Sequence, residues 1–77
     1  MDNLLNLPVG ETARVIAVQG GMGMQRHLAN LGIIPGKKVR KIIAQPIGGP
    51  MILEVEGGRI AIGRKMAQRI KIIKELK

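Results

Sequence analysis

Met51-Ile52-Leu53-Glu54-Val55-Glu56-Gly57-Gly58-Arg59-Ile60-Ala61-Ile62 is the stretch on which the fold turns. Met51 to Val55 has the period of two of a half-buried strand: Leu53 and Val55 fall on one face, Glu54 and Glu56 on the other. Gly57-Gly58 offers the positive φ angles of a tight hairpin, and Arg59 to Ile62 pairs back. Upstream, Gly48-Gly49 makes another such turn. Pro46 ends a strand over Lys38 to Ala44 with Val39 at its core, and Pro35-Gly36 has the residue order of a type II turn. Further upstream, Met24, Leu28 and Leu31 fall at helical spacing, with Gly32 placed as a left-handed C-cap. Gly20-Gly21 separates this short helix from a first strand over Thr12 to Val18, where Ala13, Val15 and Ala17 alternate with Thr12, Arg14 and Ile16. Pro8-Val9-Gly10-Glu11 precedes it as a turn. Downstream, a brief turn or one-turn helix over Gly63 to Gln68 leads into a fifth strand, in which Ile70 and Ile72 share a face and Ile73 takes the other.

Five short strands with tight turns and one helix inserted after the first strand predict a mainly β domain. Closure into a small, partly closed SH3-like barrel hides the strand edges that would otherwise pair with other chains. The 77 residues leave room for one domain, 1–77. Hydrophobic residues make up 45% of the chain without any Phe, Tyr, Trp or Cys, so the core is aliphatic. Aliphatic runs such as Ile42-Ile43-Ala44 fall far short of the roughly 20 residues a membrane-spanning helix needs. Met1-Asp2-Asn3-Leu4 lacks the basic and apolar regions of a secretory signal, and with no cysteine the expected location is the cytoplasm.

The same composition removes most side-chain catalysis. His27 is the sole imidazole, there is no serine or cysteine, and Thr12 is the only hydroxyl-bearing side chain. Ser-His-Asp and Cys-His sets, and metal sites built on two histidines or on thiolates, are therefore excluded. No enzyme activity, no cofactor and no metal are expected. Glu54 and Glu56 project to one face and offer oxygen ligands to a hard cation, but the alternation with Leu53 and Val55 favours reading them as a solvated outer face. Gly20-Gly21-Met22-Gly23-Met24 could cradle an anion with backbone N–H groups. It lacks both the GxxxxGK[ST] and the GxGxxG spacing, so a plain loop with positive φ is the simpler reading. Met22 and Met24 offer adaptable apolar contact, with Met24 on the core face beside Leu28.

The net charge of +8 points to acidic partners. Lys37, Lys38, Arg40 and Lys41 gather around one turn and strand, and Arg59, Arg64, Lys65, Arg69, Lys71 and Lys74 populate the last third. Nucleic-acid-binding barrels of this size usually stack bases on aromatic rings, and this chain has none. No helix carries the side chains of a recognition helix, so no nucleic-acid partner is expected. The groove that binds proline-rich ligands also needs rings, so an SH3-like fold does not bring an SH3-like ligand.

Leu31-Gly32-Ile33-Ile34-Pro35-Gly36-Lys37-Lys38-Val39, Pro46-Ile47-Gly48-Gly49-Pro50, and Ile60-Ala61-Ile62-Gly63-Arg64 with Ala67 and Ile70 together resemble the FeoA family of bacterial ferrous-iron-transport accessory proteins. Leu7-Pro8-Val9-Gly10-Glu11 and Arg26-His27-Leu28-Ala29 are similar to the family pattern as well, so the resemblance covers nearly the whole chain. It implies a small cytoplasmic protein that assists the FeoB-type iron permease by binding its cytosolic GTPase domain, beside the inner membrane surface. A similar domain ends some metal-dependent repressors, but with no helix-turn-helix here the free-standing accessory role is the expectation. Arg26 and His27 on the helix and Arg64, Lys65 and Arg69 near the last strand are the candidate partner contacts. Two alternatives accompany this reading: direct stimulation of GTP hydrolysis by an arginine, and a small basic nucleic-acid-binding barrel. Self-association through a strand edge or a Met-bearing patch stays open.

Overall fold

The structure is a computed structural model that describes residues 2–45 and 48–75. Pro46, placed above as a strand end, lies outside the described residues, as does Ile47. Six antiparallel strands, β1 (Asp2–Asn3), β2 (Thr12–Val18), β3 (Lys38–Ala44), β4 (Met51–Val55), β5 (Gly58–Ile62) and β6 (Ile70–Lys74), form one sheet in the order β1-β6-β2-β3-β4-β5. A 3-10 helix, Leu4–Asn6, follows β1; α1 (Met22–Asn30) follows β2, and α2 (Arg64–Gln68) follows β5.

The expected mainly β architecture is present, with one strand and one 3-10 helix more than the sequence pattern gives; α2 is the brief turn or one-turn helix expected over Gly63 to Gln68. The added strand, β1, pairs Asp2 with Ile72 and Asn3 with Lys71. Two residues are too short to show a period, and β1 exists because β6 offers it an edge. The 3-10 helix beside it is closed by reciprocal caps: Asn3 Oδ1 accepts from the Leu5 N–H at 2.9 Å, and Asn6 Oδ1 from the Asn3 N–H at 3.2 Å. Those caps set Leu4 and Leu7 into the core.

The deciding hairpin forms with its turn one residue earlier than the glycine pair implies. Val55 pairs with Gly58, so Glu56 and Gly57 are the central residues, at φ 51° and 82°. Two positive φ values in a two-residue loop match the right-handed twist of the flanking strands, and this requirement holds Glu56 left-handed. Pro35-Gly36 is the type II turn expected, with Gly36 at φ 95° and the Lys37 N–H donating to Ile34 O at 3.1 Å. α1 ends in a Schellman motif at Gly32 (φ 89°): the Ile33 N–H reaches Leu28 O at 2.9 Å and the Gly32 N–H reaches Ala29 O at 2.9 Å. Leu28 and Ile33 are both buried there.

The core draws on every layer: Leu4 and Leu7, Ala13 and Val15, Leu28, Val39, Leu53 and Val55, Ile62, Ala67, Ile70 and Ile72. Ile73 is exposed, as the alternation on β6 predicts. One charged residue joins the core: Lys41 is 3% exposed. It follows Val39 on the inward side of β3, where the register against β4 shifts between Lys41 and Ile43. Its Nζ donates to Leu5 O at 3.3 Å.

Candidate partner-binding site

Two local breaks in the sheet make a groove beside α1. β3 pairs with β2 only over Thr12–Arg14. The chain then turns away through Pro35-Gly36, and the edge closes with the Val15 N–H on Lys37 O at 2.8 Å and the Gly36 N–H on Val15 O at 2.7 Å. Against β6, the register of β2 shifts between Val15 and Ala17. Such a bulge redirects side chains, and here it leaves Ile16 exposed. α1 lies along the stretch of β2 that β3 does not cover, and the gap between them is an open cleft of about 510 Å³.

The cleft is aliphatic. Ile16 lines its β2 side, Met22 and Ala29 its α1 side, and Ile34 and Pro35 the facing loop, with Arg26 the charged group among the lining side chains. Met22 is 78% exposed, Ile34 40% and Ile16 37%. Val9, Ile43 and Ile73 are exposed elsewhere, but three large apolar side chains gathered at one opening mark a contact surface. With no ring among them, the surface suits aliphatic side chains, and Arg26 at the wall suits a carboxylate or carbonyl beside them.

The candidate contacts read from the sequence divide. Arg26 lines the cleft. His27, the next residue on α1, is exposed but does not line it. Arg64 and Lys65 border a separate depression of about 630 Å³ with Gly48, Gly63 and Met66. Arg69 caps α2; its carbonyl accepts from the Gln19 N–H at 2.7 Å, and its stem passes beside Gly20 at the approach to α1. Met24 packs against the core as expected, whereas Met22, two residues before it in the first turn of α1, supplies cleft surface. Sequence reasoning missed Ile16 and Ile34. The signal for Ile16 was present, since alternation sets it on the outer face with Thr12 and Arg14, where an isoleucine is out of place.

The outer-face carboxylates are held by cations. Glu54 Oε1 lies 3.9 Å from Arg40 Nη1, and Glu56 Oε1 lies 2.7 Å from Lys37 Nζ. Among the described residues no group of three or more His, Cys, Asp or Glu side chains is placed to hold a metal ion. Burial, and secondarily the Arg64 guanidinium, pull the Lys41 ammonium below its ordinary pKa of 10.5. No helix among the described residues is long and apolar enough to cross a membrane.

A small, mainly β barrel with an aliphatic cleft beside its first helix is the class that the fold and site define. The FeoA domain family matches residues 3–74. A Methanocaldococcus jannaschii protein provisionally named Fe(2+) transport protein A is 36% identical over 63 residues, covering 82% of this chain and 74% of its own. Among solved structures, a FeoA crystal structure described as an iron uptake regulatory protein superposes with a TM-score of 0.87 at 29% identity, over 95% of both chains. The zinc complex of Stenotrophomonas maltophilia FeoA, described as a prokaryotic SH3 domain protein, superposes with a TM-score of 0.81 at 28% identity, over 95% of this chain and 91% of that one. The chain belongs to the FeoA family, and its fold is SH3-like.

Proposed function

We propose that this chain is a cytoplasmic accessory protein of ferrous iron uptake that binds the cytosolic part of a FeoB-type GTPase permease through the cleft beside α1. It acts by contact rather than by catalysis. Family membership and the iron-transport name of the Methanocaldococcus jannaschii relative support the setting. The observation that carries the contact is the gathering of exposed Ile16, Met22 and Ile34 around one opening. Removing those side chains from water on a partner gives about 25 cal/mol for each Å² covered. Arg26 selects the approach, because a cation at an apolar wall favours a partner with a carboxylate or carbonyl in register.

The test is an amide NMR titration of labelled protein with the permease's isolated cytosolic domain, in GDP and then in a GTP analogue, at physiological salt. Expected are shifts confined to residues 16–18, 22–29 and 33–35, and loss of tenfold or more in affinity for Met22→Asp with the rest of its spectrum unchanged (about 1.4 kcal/mol or more). Shifts restricted to other surfaces, or none, overturn the assignment. GTP turnover in the same samples separates binding from direct stimulation of hydrolysis, for which an arginine supplied to the nucleotide raises the rate by about 10³–10⁵.

A further inference from the structure

The charge on this molecule is sorted. Lys74 meets Glu11 at 3.1 Å, Arg14 meets Glu75 at 2.8 Å, and Lys38 reaches the same Glu75 at 3.9 Å, beside the Lys37–Glu56 and Arg40–Glu54 pairs. Every glutamate of the chain therefore sits on one mixed-charge face built from β2, β3, the β4–β5 hairpin and the end of β6. From Gly57 to Ile73 the sequence has Arg59, Arg64, Lys65, Arg69 and Lys71 and no acid. Arg59 stands opposite Glu54 in the ladder. Arg64, Lys65 and Arg69 are exposed around α2 and stand in none of the ion pairs among the described residues. Lys41 adds a cation beneath them, near enough to Arg64 for the two to repel. Arg64, Lys65 and Arg69 thus form an exposed group of cations with no glutamate beside them among the described residues; the remaining acid, Asp2, lies on β1 opposite Ile72.

We propose that the α2 face, through Arg64, Lys65 and Arg69, docks on an anionic phospholipid surface. The inference stands on this charge sorting and is independent of the partner assigned to the α1 cleft. The shape of the face decides among anions. The cations sit on a five-residue helix and its C-cap, Lys65 and Arg69 four residues apart on one side and Arg64 just before them. Arg64 and Lys65 line an open depression with Gly48, Gly63, Met66 and Gln68, and none of its polar side chains is buried, so nothing there encloses a discrete small ligand. A helix this short does not enter a nucleic-acid groove, and no ring is present for stacking. An extended anionic plane asks only for long, flexible, exposed cations, and it attracts them without fixed geometry. The half-buried Met66 beneath the arginine and lysine stems offers a small apolar contact to the glycerol region.

Each exposed cation near such a surface strengthens partitioning by roughly fivefold, so three give about hundredfold, a reversible association that salt weakens. The experiment is co-sedimentation of the full chain with vesicles of phosphatidylcholine alone and with roughly one-third phosphatidylglycerol, at low and near-physiological salt. Expected is retention on the anionic vesicles only. The triple variant Arg64→Gln, Lys65→Gln, Arg69→Gln should lose about hundredfold in partitioning. A matched triple on the mixed face, Lys37→Gln, Lys38→Gln, Arg40→Gln, removes the same charge and should lose less than about fivefold. Amide spectra of both variants confirm that each is folded. No retention on anionic vesicles, equal losses for the two triples, or tighter binding to duplex DNA than to vesicles at equal salt would each overturn the proposal.

Discussion

The two helices begin and end alike and do opposite things. Each starts at a glycine, Gly21 or Gly63, that gives no side-chain cap, and each closes with its C-cap N–H on carbonyls of its last turn. α1 runs nine residues and buries only Leu28. α2 runs five residues and buries Ala67 completely, against the core that the 3-10 helix and β6 help to build. A five-residue helix cannot persist on its own hydrogen bonds, so α2 exists as a plug in the barrel end. α1 is a cantilever, pinned at Leu28, with Met24 packing partly beside it, and at its Schellman end, and the pin keeps the α1 cleft open. Length and anchoring are thus inversely matched: the longer helix supplies an apolar cleft wall, whereas the shorter one closes the barrel end with Ala67 and leaves only its cations outside.

Cutting the pin has the largest expected effect. Leu28→Ala removes a fully buried side chain that touches the core only because α1 is held down, and should cost about 2–5 kcal/mol. Urea unfolding followed by far-UV circular dichroism measures it, and a cost below ~1 kcal/mol would mean that α1 is anchored elsewhere. Overfilling the plug comes next. Ala67→Leu inserts methyl groups at a site with no exposure and should cost about 1–3 kcal/mol while leaving the cleft beside α1 unchanged in amide spectra. Spectral change spread into residues 22–29 would show that the two helices are mechanically joined.

The smallest effect concerns the lysine under the plug. Its folded pKa lies below the ordinary 10.5, so between those two values the unfolded chain holds the proton more firmly than the folded one. Stability from this group therefore rises with pH across that window and falls as pH drops through the folded value. Lys41→Met keeps the aliphatic stem and removes the charge. It should abolish that rise, with a change at neutral pH within about 1 kcal/mol because the lost bond to Leu5 O offsets the relieved desolvation. Parallel urea curves of the two proteins from neutral to alkaline pH make the comparison, and an unchanged slope in Lys41→Met would remove Lys41 as its source.

Most of the barrel was legible because its signals are local. The alternation of Leu53 and Val55, the turn residues Pro35-Gly36, and Gly32 after Leu28 and Leu31 each specify a backbone state within a few residues. Two features were hidden by distance. β1 depends on an edge supplied by residues 71–72, which no short window contains. Lys41 reads as one more member of a solvated basic cluster until the 3-10 helix, more than thirty residues away in sequence, offers it a carbonyl. The candidate site was half legible. Arg26 was found through its charge, but Ile16 and Ile34 join it only after a bulge and a shortened strand pairing bring them to one opening.

The all-aliphatic interior has an optical consequence. With no Phe, Tyr or Trp, the chain has no fluorescent side chain and is nearly dark in the near ultraviolet. Any tryptophan or tyrosine signal in a mixture therefore belongs wholly to the partner, which can be titrated against an unlabelled, spectroscopically silent protein. In the complementary channel, the methyl groups of Val15, Leu28, Leu53, Ile62, Ile70 and Ile72 report on the interior without ring-current shifts from the chain's own core. A methyl resonance displaced by an aromatic ring would mark the place where a partner's ring has come to rest.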